Sequence, residues 1–480
     1  AVKSVLEQAY PAFRVLRTSA VSQNGDAAVR FNAALDACTD SFVAFCDPDE
    51  LLAPDACFEV AVAHYEKPEA EVIYGDRDTI SSNGHRSRPL FVPDWSPETF
   101  LSQMYTGRLV FYRRELVVAA GRCRSGFGTA LHYDLALRAT ELSKCIEHRP
   151  RIFYHERAKE AAASDQRDAA RAIASALERR GEEGRIEHPY PGVDSNIVRY
   201  SITNPERVEI ILPTRDLPDF LDRCLTSVFN RSTYRNFRVN VIDNGSVEPA
   251  TERVLSDWRA REPQRFRVVE LDQPFNFSRL VNAGVRSCDG PYLLLLNNDT
   301  EDITDDWIEA MLEQAQRPAI GVVGARLLYD DGALQHAGVV IGLGELAGHI
   351  YRGAPRDDHG PAGEILTIRN YSAITAACMM VRRDVFEAAG GFDERLGVEF
   401  NDTDFCLRVL RLGYRNVYVP HAELYHHESK SRGAGESSAS THKSNGRELF
   451  RKRWQTSSYR DPYYNCNLTT VTDDGAIATP

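Results

Sequence analysis

An internal repeat constrains the fold of this chain more than any other feature of its sequence. Three pairs of segments match in the same order along the chain: residues 4–15 with 227–239, 31–59 with 281–309, and 109–141 with 378–411. In the middle pair, each copy runs from a helix of small residues through an apolar strand and an acidic turn to another helix. Both copies later reach a Tyr-His pair, at Tyr154-His155 and Tyr425-His426. We therefore predict an α/β chain made of two tandem copies of one domain.

The repeat also sets the predicted domain boundaries. Residues 163–184 begin with helix-capping types, carry Ala and Leu at helical spacing and end in glycines, which is typical of a connecting helix. Residues 435–446 are polar and rich in Gly and Ser, so we expect a mobile segment there, before a basic helix at 447–454. The predicted division is a first domain at 1–157, a connecting helix and linker at 158–206, a second domain at 207–434, and a mobile segment, basic helix and tail at 435–480.

The acidic composition narrows the classes of function. A formal net charge of -12 and a pI near 5.6 argue against non-specific binding to nucleic acid, whose phosphates require a basic surface. A negatively charged substrate would need a local device, such as a metal ion, to offset the repulsion. The ten cysteines have no zinc-site spacing, and the sequence shows neither an apolar run of membrane-span length nor a secretion signal. We therefore expect reduced thiols in the core of a cytosolic protein.

An apolar strand that ends on a cluster of oxygens marks the predicted ligand site. The stretch LLLLNNDTED (293–302) runs from four leucines into Asn297, Asn298 and Asp299. A short apolar run bounded by turn formers is typical of a strand covered on both faces. In open α/β sheets, ligands bind beyond the carboxyl ends of such strands, so a hard cation or a phosphate-bearing ligand would be held there. The alternative is a polar turn that merely ends a core strand.

Two further strands of the second copy end in hydrogen-bonding groups. Residues 208–216 (VEIILPTRD) form an apolar strand broken at Pro213, and residues 237–246 (FRVNVIDNGS) form a strand that ends in the DNGS turn. Neighbouring strand ends of this kind could hold a nucleobase and a ribose, with Asp243 accepting a hydrogen bond from the base. The alternative is again a pair of ordinary turns.

Candidate acid–base and ligand side chains follow later in the second copy. Asp402 and Asp404 begin a helix whose apolar residues favour packing on the sheet. First-turn carboxylates can cap free N–H groups and complement the helix dipole, and a carboxylate fixed beside a cleft can also be a general base. The adjacent His426 and His427 follow a strand that should end at the same sheet edge, which favours a ligand role for one of them.

Nine short motifs occur in a fixed order from about Val208 to Asn465. They are PTRD, DNGS, FNFSRLVNAG, LLLLNNDTE, GALQHAGVVIG, TAACMMVRRDVFEAAGGFDE, FNDTDFCLR, LYHHESKSRG and DPYYN. This set resembles the bacterial family 2 glycosyltransferases of polysaccharide and O-antigen gene clusters, rhamnosyltransferases among them, and the first half of the chain resembles the same family more loosely. The resemblance implies two tandem GT-A-like domains, Rossmann-like with a mostly parallel sheet, the first of them truncated or degenerate.

The resemblance also implies a metal site. Asp299 matches the DxD-type motif of the family and would bind a divalent cation, Mn²⁺ or Mg²⁺, that bridges the diphosphate of a sugar nucleotide. The motif departs from strict DxD, since Asn297 replaces its first Asp. His426 or His427 would supply the remaining protein ligand, and the sequence does not choose between them. Oxygen ligands suit both cations, and a His contact favours Mn²⁺.

The remaining implied roles concern the reaction and its substrates. Asp402 would be the catalytic base that takes the proton of the acceptor hydroxyl, so that one displacement inverts the anomeric configuration, while Asp404 would cap its helix. The implied donor-nucleotide residues are Pro213, Thr214, Asp216, Asp243, Asn244, Asn276, Asn297 and Asn298. The acceptor-side candidates are Ala377, Cys378 and Asp404. The implied partners are a nucleotide-sugar donor, UDP- or dTDP-linked, and a glycan or lipid-linked glycan acceptor. The implied location is cytoplasmic. Peripheral association with the inner membrane or with other polysaccharide-assembly proteins is compatible with it.

The first copy departs from the family pattern. Aligned on the repeat, Asp47 and Asp49 match the metal turn, but His132 stands where the second copy has Asp402. The sequence also opens inside the first helix of this copy, without the strand that would meet the nucleoside. We therefore favour a non-catalytic role for the first copy, such as acceptor binding or scaffolding.

Other classes of function stay open at this point. A non-catalytic carbohydrate-binding or assembly protein is compatible with a degenerate first half, although the presence of Asp299, Asp402 and the His pair argues against it. A bifunctional transferase would have both copies active. A nucleotidyltransferase of related fold is disfavoured, because the Gly-rich basic loop of that class has no counterpart in PTRDLPDF.

Overall fold

The chain folds into two units that correspond to the two copies of the repeat. The structure is a computed structural model that describes residues 2–17, 26–47, 50–157, 163–427 and 436–478. Unit 1 comprises Ala1–Arg199, Pro361–Gly363 and Tyr464–Leu468. Unit 2 comprises Tyr200–Gly360, Glu364–Tyr463 and Thr469–Pro480.

Unit 1 is an α/β unit. Its helices are α1 (Val2–Leu6), α2 (Ala27–Asp36), α3 (Ala56–Glu66), α4 (Pro97–Ser102), α5 (Arg114–Ala119), α6 (Leu131–Leu142) and α7 (Ala163–Arg180). Its strands are β1 (Phe42–Ala44), β2 (Leu51–Leu52), β3 (Val72–Ile80), β4 (Arg86–Leu90), β5 (Phe111–Arg113), β6 (Ile146–Arg157), β7 (Gly184–Glu187) and β8 (Ile197–Tyr200), the last ending at the first residue of unit 2.

Unit 2 is a larger α/β unit. Its strands are β9 (Val208–Thr214), β10 (Phe237–Asp243), β11 (Phe266–Glu270), β12 (Tyr292–Leu296), β13 (Thr300–Asp302), β14 (Ile320–Leu328), β15 (Leu334–His336), β16 (Val339–Ile341), β17 (Ala347–His349), β18 (Arg369–Tyr371), β19 (Cys378–Arg382) and β20 (Arg415–His426). Its helices are α8 (Pro218–Arg231), α9 (Pro249–Arg261), α10 (Phe277–Arg286), α11 (Trp307–Ala315), α12 (Arg383–Ala388), α13 (Asn401–Arg411) and α14 (Glu436–Trp454).

The two main sheets share one strand order, so the repeat in the sequence is also a repeat in topology. The order in unit 1 is β1-β5-β3-β6-β2, and the corresponding part of unit 2 is β12-β19-β14-β20-β13. In both sheets the second strand is antiparallel to its two neighbours, and the third and fourth strands pair in parallel. The last pair is antiparallel in both. Two copies of one domain are therefore confirmed.

Unit 2 extends this shared sheet on the side of β12. Strand β10 pairs in parallel with β11 on one side and with β9 on the other, and β9 also pairs in parallel with β12. The resemblance implies a mostly parallel sheet, and these added strands of unit 2 agree with it. The part of the sheet that both units share is mixed, because β5 and β19 run antiparallel to their neighbours. Strands β9 and β12 are almost entirely buried, as their apolar runs predict.

Helix α7 belongs to unit 1, although the sequence predicts it as a connecting helix. Asp168 accepts a hydrogen bond from the backbone N–H of Thr129 at 2.9 Å, and Arg179 donates to Glu141 of α6 at 2.7 Å. The buried face of α7 includes Ala172, so the helix packs against its own unit and does not stand apart as a linker.

A short segment near the C-terminus completes unit 1. Residues 464–468 lie in this unit, and they include the last two residues of the DPYYN motif. Asn465 donates from Nδ2 to Asp76 Oδ1 at 2.9 Å and to the backbone oxygen of Val92 at 2.8 Å. Asp76 is fully buried, so this amide satisfies an acceptor that water does not reach.

Helix α14 begins at Glu436, inside the segment that the sequence predicts to be mobile. The mobility predicted for residues 435–446 stays a prediction, and the structure adds that residues 436–446 are part of this helix. The apolar end of the helix explains its position, because Phe450 and Trp454 are buried in a cluster with Leu396 and Leu407. A helix anchored at one end can continue through residues of modest helix propensity.

The sequence predicts reduced thiols and no membrane span. All ten cysteines are free thiols, and Cys466 is the exposed one, while the others are buried or half-buried. In the parts of the chain that the structure describes, no helix combines the length and the apolar character needed to cross a membrane.

Candidate functional site

The carboxyl ends of β9, β10 and β12 meet at one edge of the unit 2 sheet, as their parallel pairing requires. Thr214, which follows Pro213 in β9, lies opposite Asp243 in β10. Asn298, just beyond β12, donates from Nδ2 to Thr214 Oγ1 at 2.9 Å, and the backbone N–H of Asn244 donates to the Thr214 carbonyl at 2.9 Å. The structure thus brings together the strand ends that the sequence assigned to a donor nucleotide.

Strand β13 places Asp299 beside His426. It begins at Thr300, directly after the turn, and pairs antiparallel with β20 so that Thr300 lies opposite His426. His426 Nε2 lies 3.2 Å from Asp299 Oδ1 and accepts a hydrogen bond from Asn297 Nδ2 at 3.1 Å. Asp299 and His426 are both buried. Two candidate ligands that are far apart in the sequence therefore meet at this edge.

The hydrogen bonds of His426 determine which ring nitrogen faces Asp299. Gln335 donates from Nε2 to the backbone oxygen of His426 at 3.2 Å, so the other amide atom, Oε1, faces the ring. His426 donates from Nδ1 to that oxygen at 2.6 Å. In the neutral ring the lone pair is therefore on Nε2, which points at Asp299 and Asn297. Sequence reasoning missed Gln335, although it lies in the GALQHAGVVIG motif.

The residues at this edge fit a divalent cation. A carboxylate oxygen and an imidazole lone pair repel each other at 3.2 Å, and a cation bound to both would remove that repulsion. The separation is also close to the edge, about 3 Å, of an octahedron with ligands at about 2.1 Å. Among the residues that the structure describes, no three His, Cys, Asp or Glu side chains converge in a group that could hold a metal. The other ligands would therefore be amide oxygen, water or a bound diphosphate.

The neighbouring His427 is directed elsewhere. It donates from Nδ1 to Asp330, and its Nε2 lies 3.6 Å from Glu301 Oε2. Its ring is tilted against Phe220, with 5.8 Å between the ring centroids. Of the two histidines that the sequence leaves open, the structure brings His426 to Asp299 and His427 to Asp330.

Asp216 and Asp243 are joined through Ser246. Asp243 Oδ1 accepts from Ser246 Oγ at 2.6 Å, and Ser246 Oγ accepts from the backbone N–H of Asp216 at 2.8 Å. The Asp216 carboxylate in turn accepts from the backbone N–H groups of Val247 and Glu248, at 2.8 and 2.9 Å, just before α9. Asp216 thus holds the start of that helix, a role that its sequence position did not indicate.

Two asparagines predicted to contact the donor hold the backbone instead. Asn276 is the N-cap of α10: its Oδ1 accepts from the N–H of Arg279 at 2.9 Å, and its Nδ2 donates to the carbonyl of Glu394 at 2.7 Å. Asn244 donates from Nδ2 to two backbone oxygens, at 2.9 and 2.8 Å. Both ends of the Asn276 amide are engaged in helix capping, and its role in donor binding stays a prediction.

Asp402 lies at the start of α13, next to the loop that enters β19. Its Oδ2 accepts from the N–H of Ala376 at 3.1 Å, and its Oδ1 accepts from the N–H of Thr403 at 2.7 Å. The next residue of the loop, Ala377, accepts from the N–H of Asn297 at 3.0 Å. One loop therefore connects the half-buried Asp402 carboxylate to the turn that holds Asp299.

The acceptor-side candidates at the start of β19 face the interior, which corrects the expectation for both. Cys378 is fully buried, its Sγ lies 3.8 Å from the sulfur of Met311, and burial raises the pKa of its thiol. Ala377 is also buried and contributes a backbone oxygen to the turn after β12. Neither side chain is available to an acceptor.

Asp404 is a buried ion-pair partner, which corrects both roles that the sequence suggested for it. Its side chain is fully buried and accepts from Arg408 Nε at 2.8 Å, from Arg453 Nη1 at 2.6 Å and from Trp454 Nε1 at 2.9 Å. The carboxylate therefore neither caps its own helix nor faces an acceptor. It fixes the end of α14 against α13.

The same ion pair occurs in unit 1. Asp134 accepts from Arg138 Nη2 at 2.6 Å, four residues later in α6, as Asp404 does from Arg408. In each copy the arginine also donates to a backbone oxygen at the end of the preceding short helix, that of Ala120 in unit 1. The Asp-x-x-x-Arg spacing retained in both copies was thus a signal for a structural pair.

Replacing Asp404 with alanine is expected to destabilise unit 2 by about 3–5 kcal/mol, because it leaves buried donors of Arg408, Arg453 and Trp454 without an acceptor. Urea unfolding monitored by tryptophan fluorescence would measure the change. Asp289→Ala is the matched control, since the Asp289 side chain is 81% exposed. Equal midpoints for the two variants would contradict a structural role for Asp404.

The corresponding site of unit 1 has a different composition. Asp47 Oδ2 accepts from Arg108 Nη1 at 2.9 Å, and His132 Nε2 lies 3.7 Å from Asp47 Oδ1. The neighbouring His132 ring, together with the guanidinium of Arg108, lowers the pKa of Asp47 to about 2. Asp49 lies outside the described residues, so its predicted place in the metal turn stays a prediction.

Glu50 is a further member of the unit 1 site that sequence reasoning missed. It directly precedes Leu51, which lies opposite His155, just as Asp299 precedes Thr300, which lies opposite His426. Strand pairing therefore aligns Glu50 with Asp299, one residue away from the match found by sequence. Glu50 is buried, burial raises its pKa to about 7, and Oε2 accepts from the Asp47 N–H at 2.9 Å.

Comparison with known proteins finds relatives over most of the chain. It is 36% identical over 485 residues to the O-antigen biosynthesis protein RfbC of Myxococcus xanthus, a match that covers 97% of this chain and 37% of that protein. It is 37% identical over 475 residues to the uncharacterized protein y4gI of Sinorhizobium fredii, covering 95% of this chain and 52% of that protein. The chain thus spans well under two thirds of the length of these two relatives.

More distant similarities involve about half of the chain. An N-acetylglucosaminyl-diphospho-decaprenol L-rhamnosyltransferase of Mycobacterium tuberculosis is 26% identical over 252 residues, which cover 47% of this chain and 78% of that protein. Among solved structures, the mannosyltransferase PcManGT of Pyrobaculum calidifontis, in complex with GDP-Man and Mn²⁺, aligns with a TM-score of 0.39 at 14% identity. That alignment covers 55% of this chain and 68% of that one.

The family assignment follows from the sequence match and agrees with the repeated α/β topology. The model of glycosyl transferase family 2 matches residues 1–130 and again residues 209–390. These two segments fall in the two copies of the repeat and together make up more than half of the chain. The chain therefore belongs to glycosyl transferase family 2, with one family match in each of two GT-A-like α/β units.

Proposed function

We propose that this chain transfers a sugar from a UDP- or dTDP-linked donor to a glycan acceptor during synthesis of a bacterial surface polysaccharide, and that unit 2 carries the reaction. The observation that supports this most is the arrangement of Asp299, His426 and Asp402 around one edge of the sheet. The names of two relatives, an O-antigen biosynthesis protein and a rhamnosyltransferase, agree with the proposed class of product.

Asp299 and His426 would hold the divalent cation of the proposed reaction. The lone pair of His426 Nε2 and the carboxylate oxygen of Asp299 face each other at 3.2 Å, and Asn297 lies beside them. When bound, a divalent cation neutralises the negative charge that develops on a departing nucleoside diphosphate. In a chain with a net charge of -12, this is the local device that an anionic donor requires.

The strand ends next to this pair would hold the nucleoside. Thr214 and Asn298 are linked by their side chains, so the end of β9 and the turn after β12 form one continuous surface. Asp243 lies opposite Thr214 and uses Oδ1 to bind Ser246. Its position suits it to accept a hydrogen bond from a base or ribose.

Asp402 would act as the general base. Backbone N–H groups of Ala376 and Thr403 donate to one oxygen each, which fixes the orientation of the carboxylate. It would take the proton of the acceptor hydroxyl while that oxygen attacks the anomeric carbon from the face opposite the leaving diphosphate. A single displacement of this kind inverts the anomeric configuration.

Release of nucleoside diphosphate by the full chain tests the proposal. Purified protein would be incubated with UDP-, dTDP- and GDP-sugars and Mn²⁺, with and without EDTA, in the presence of lipid-linked glycan fractions. We expect turnover with a UDP- or dTDP-sugar that EDTA abolishes. Glycan binding without turnover of any donor would favour the non-catalytic alternative. Two product linkages, one of them lost on His132→Ala, would favour the bifunctional alternative.

Gln335 is expected to be a positioning residue for His426. Gln335→Leu removes the acceptor for the Nδ1 proton, so the ring can turn or take the other tautomer, and metal affinity should fall by about 10–100-fold. The measurement is the Mn²⁺ concentration that gives half-maximal turnover, with the rate at saturating Mn²⁺ nearly unchanged. Gln335→Glu keeps the acceptor and should rescue the affinity. Unchanged metal dependence in Gln335→Leu would contradict this role.

A further inference from the structure

Unit 1 carries a guanidinium where unit 2 has a small side chain. In the repeat, Leu109 aligns with Cys378, so Arg108 takes the place of Ala377. In unit 2, Ala377 contributes only its backbone oxygen to the turn that holds Asp299. An arginine at the equivalent position of unit 1 can therefore extend its side chain into the region that corresponds to the candidate metal site.

The Arg108 side chain binds the acidic turn of its own unit. Nη1 donates to Asp47 Oδ2 at 2.9 Å, and the backbone N–H of Asp47 donates to Glu50 Oε2 at 2.9 Å, so Glu50 is bound to the same turn. The backbone N–H of Arg108 donates to Tyr154 Oη at 3.0 Å, which fixes the start of the side chain. A permanent positive charge is thus tethered beside both acidic groups.

The residue aligned with the candidate base also faces this turn. His132 Nε2 lies 3.7 Å from Asp47 Oδ1, and its ring packs edge-on against Phe31 with 5.8 Å between centroids. Asp47 is therefore flanked by Arg108 on one oxygen and His132 on the other. Among the described residues of unit 1, this set of donors does not fit a divalent cation, because the fixed guanidinium of Arg108 would repel it.

We propose that Arg108 replaces the divalent cation in unit 1, so that Asp47 and Glu50 are neutralised within the chain and this unit binds no metal. A tethered guanidinium is always present beside the carboxylates, whereas an ion in solution must displace it and lose water to bind. Unit 1 would accordingly not take part in metal-dependent transfer. The inference goes beyond the proposed function, which concerns unit 2, and it holds for any donor.

Binding of Mn²⁺ alone to the full chain tests the inference without any assay of activity. The starting protein is the Asp299→Ala, His426→Ala double variant, in which the candidate site of unit 2 is removed. Free Mn²⁺ is measured by electron paramagnetic resonance during titration. We expect no site in this background, and one ion per chain after the further change Arg108→Ala. Arg108→Lys keeps a positive charge and should bind none.

The position of the new site and the fold need their own controls. Adding Asp47→Asn to the Arg108→Ala variant should abolish the gained binding, and circular dichroism should show equal helix content in all variants. If the background protein binds Mn²⁺ and Asp47→Asn removes that binding, the inference is overturned. A folded Arg108→Ala variant that gains no site would overturn it as well. Neither result depends on whether unit 2 transfers a sugar.

Discussion

Replacing Asp402 with asparagine is expected to lower turnover by about two orders of magnitude or more while donor affinity stays near that of the unchanged protein. An amide cannot accept the proton of the acceptor hydroxyl, which is the usual reason for a loss of this size. Asparagine is nearly the same size as aspartate, and its oxygen can still accept from the N–H of Ala376. The change therefore removes the base and keeps the loop that holds the metal turn.

The measurement should separate binding from chemistry. Donor affinity would be obtained by calorimetry with Mn²⁺, and turnover by release of nucleoside diphosphate at saturating donor and acceptor. Asp384→Asn is the matched control, because this carboxylate lies on the short helix α12 and its side chain is 69% exposed. Turnover of Asp402→Asn comparable to that of the control would remove Asp402 from the mechanism.

Asp299→Ala and His426→Ala are each expected to abolish the gain in donor affinity that Mn²⁺ produces, a loss of about a hundredfold or more. A cation on a diphosphate contributes several kcal/mol of charge stabilisation, and both side chains face the position where it would bind. Calorimetry with the donor in Mn²⁺ and in EDTA would measure the difference. With either variant, the two titrations should coincide.

His427→Ala is the matched control for the metal site. His427 is adjacent in sequence and equally buried, but it donates to Asp330 and does not face Asp299. It should therefore keep most of the Mn²⁺-dependent affinity. If His427→Ala loses this affinity and His426→Ala retains it, the assignment of the metal ligand is reversed. Unchanged affinity in Asp299→Ala would exclude the turn after β12 as a metal site.

The fold could be predicted from the sequence because its main signals are periodic and local. The repeat defines two copies of one domain, and the two sheets have the same strand order over their shared part. The apolar run at 293–296 predicts a buried strand, and it is one. The antiparallel entry of β5 and β19 could not be predicted, since strand direction depends on how the connecting residues cross the sheet, and no local pattern records it.

The candidate site could be predicted in part. Asp299, Asp402 and the His pair are predicted from their positions at strand and helix ends, and the structure brings Asp299 and His426 together at one sheet edge. The choice between His426 and His427 depended on the register of β13 against β20, which sequence alone does not supply. Roles in the metal site and in catalysis stay predictions for the experiments above.

The failures share one physical cause, which is that a buried polar side chain looks the same in sequence whether it binds a ligand or the backbone. Asn276 and Asp404 both resembled functional groups, and both are engaged with their own unit. Sequence reasoning missed Glu50 for a related reason. The acidic turn of unit 1 is one residue longer than that of unit 2, so the sequence alignment of the two copies is shifted there, and the strand pairing reveals the shift. Retention of Asp-x-x-x-Arg in both copies was the one sequence signal that could have identified Asp404.

The segment at 464–468 has a consequence for how the protein can be made. The amide of Asn465 reaches Asp76, a carboxylate with no access to water, so unit 1 lacks one of its internal hydrogen bonds until residue 465 has been synthesised. Domains are commonly completed in the order of their synthesis, the N-terminal one first. In this chain, unit 1 includes a segment that is synthesised after most of unit 2. A gene fragment that stops at residue 199 would therefore encode the first unit without residues 464–468.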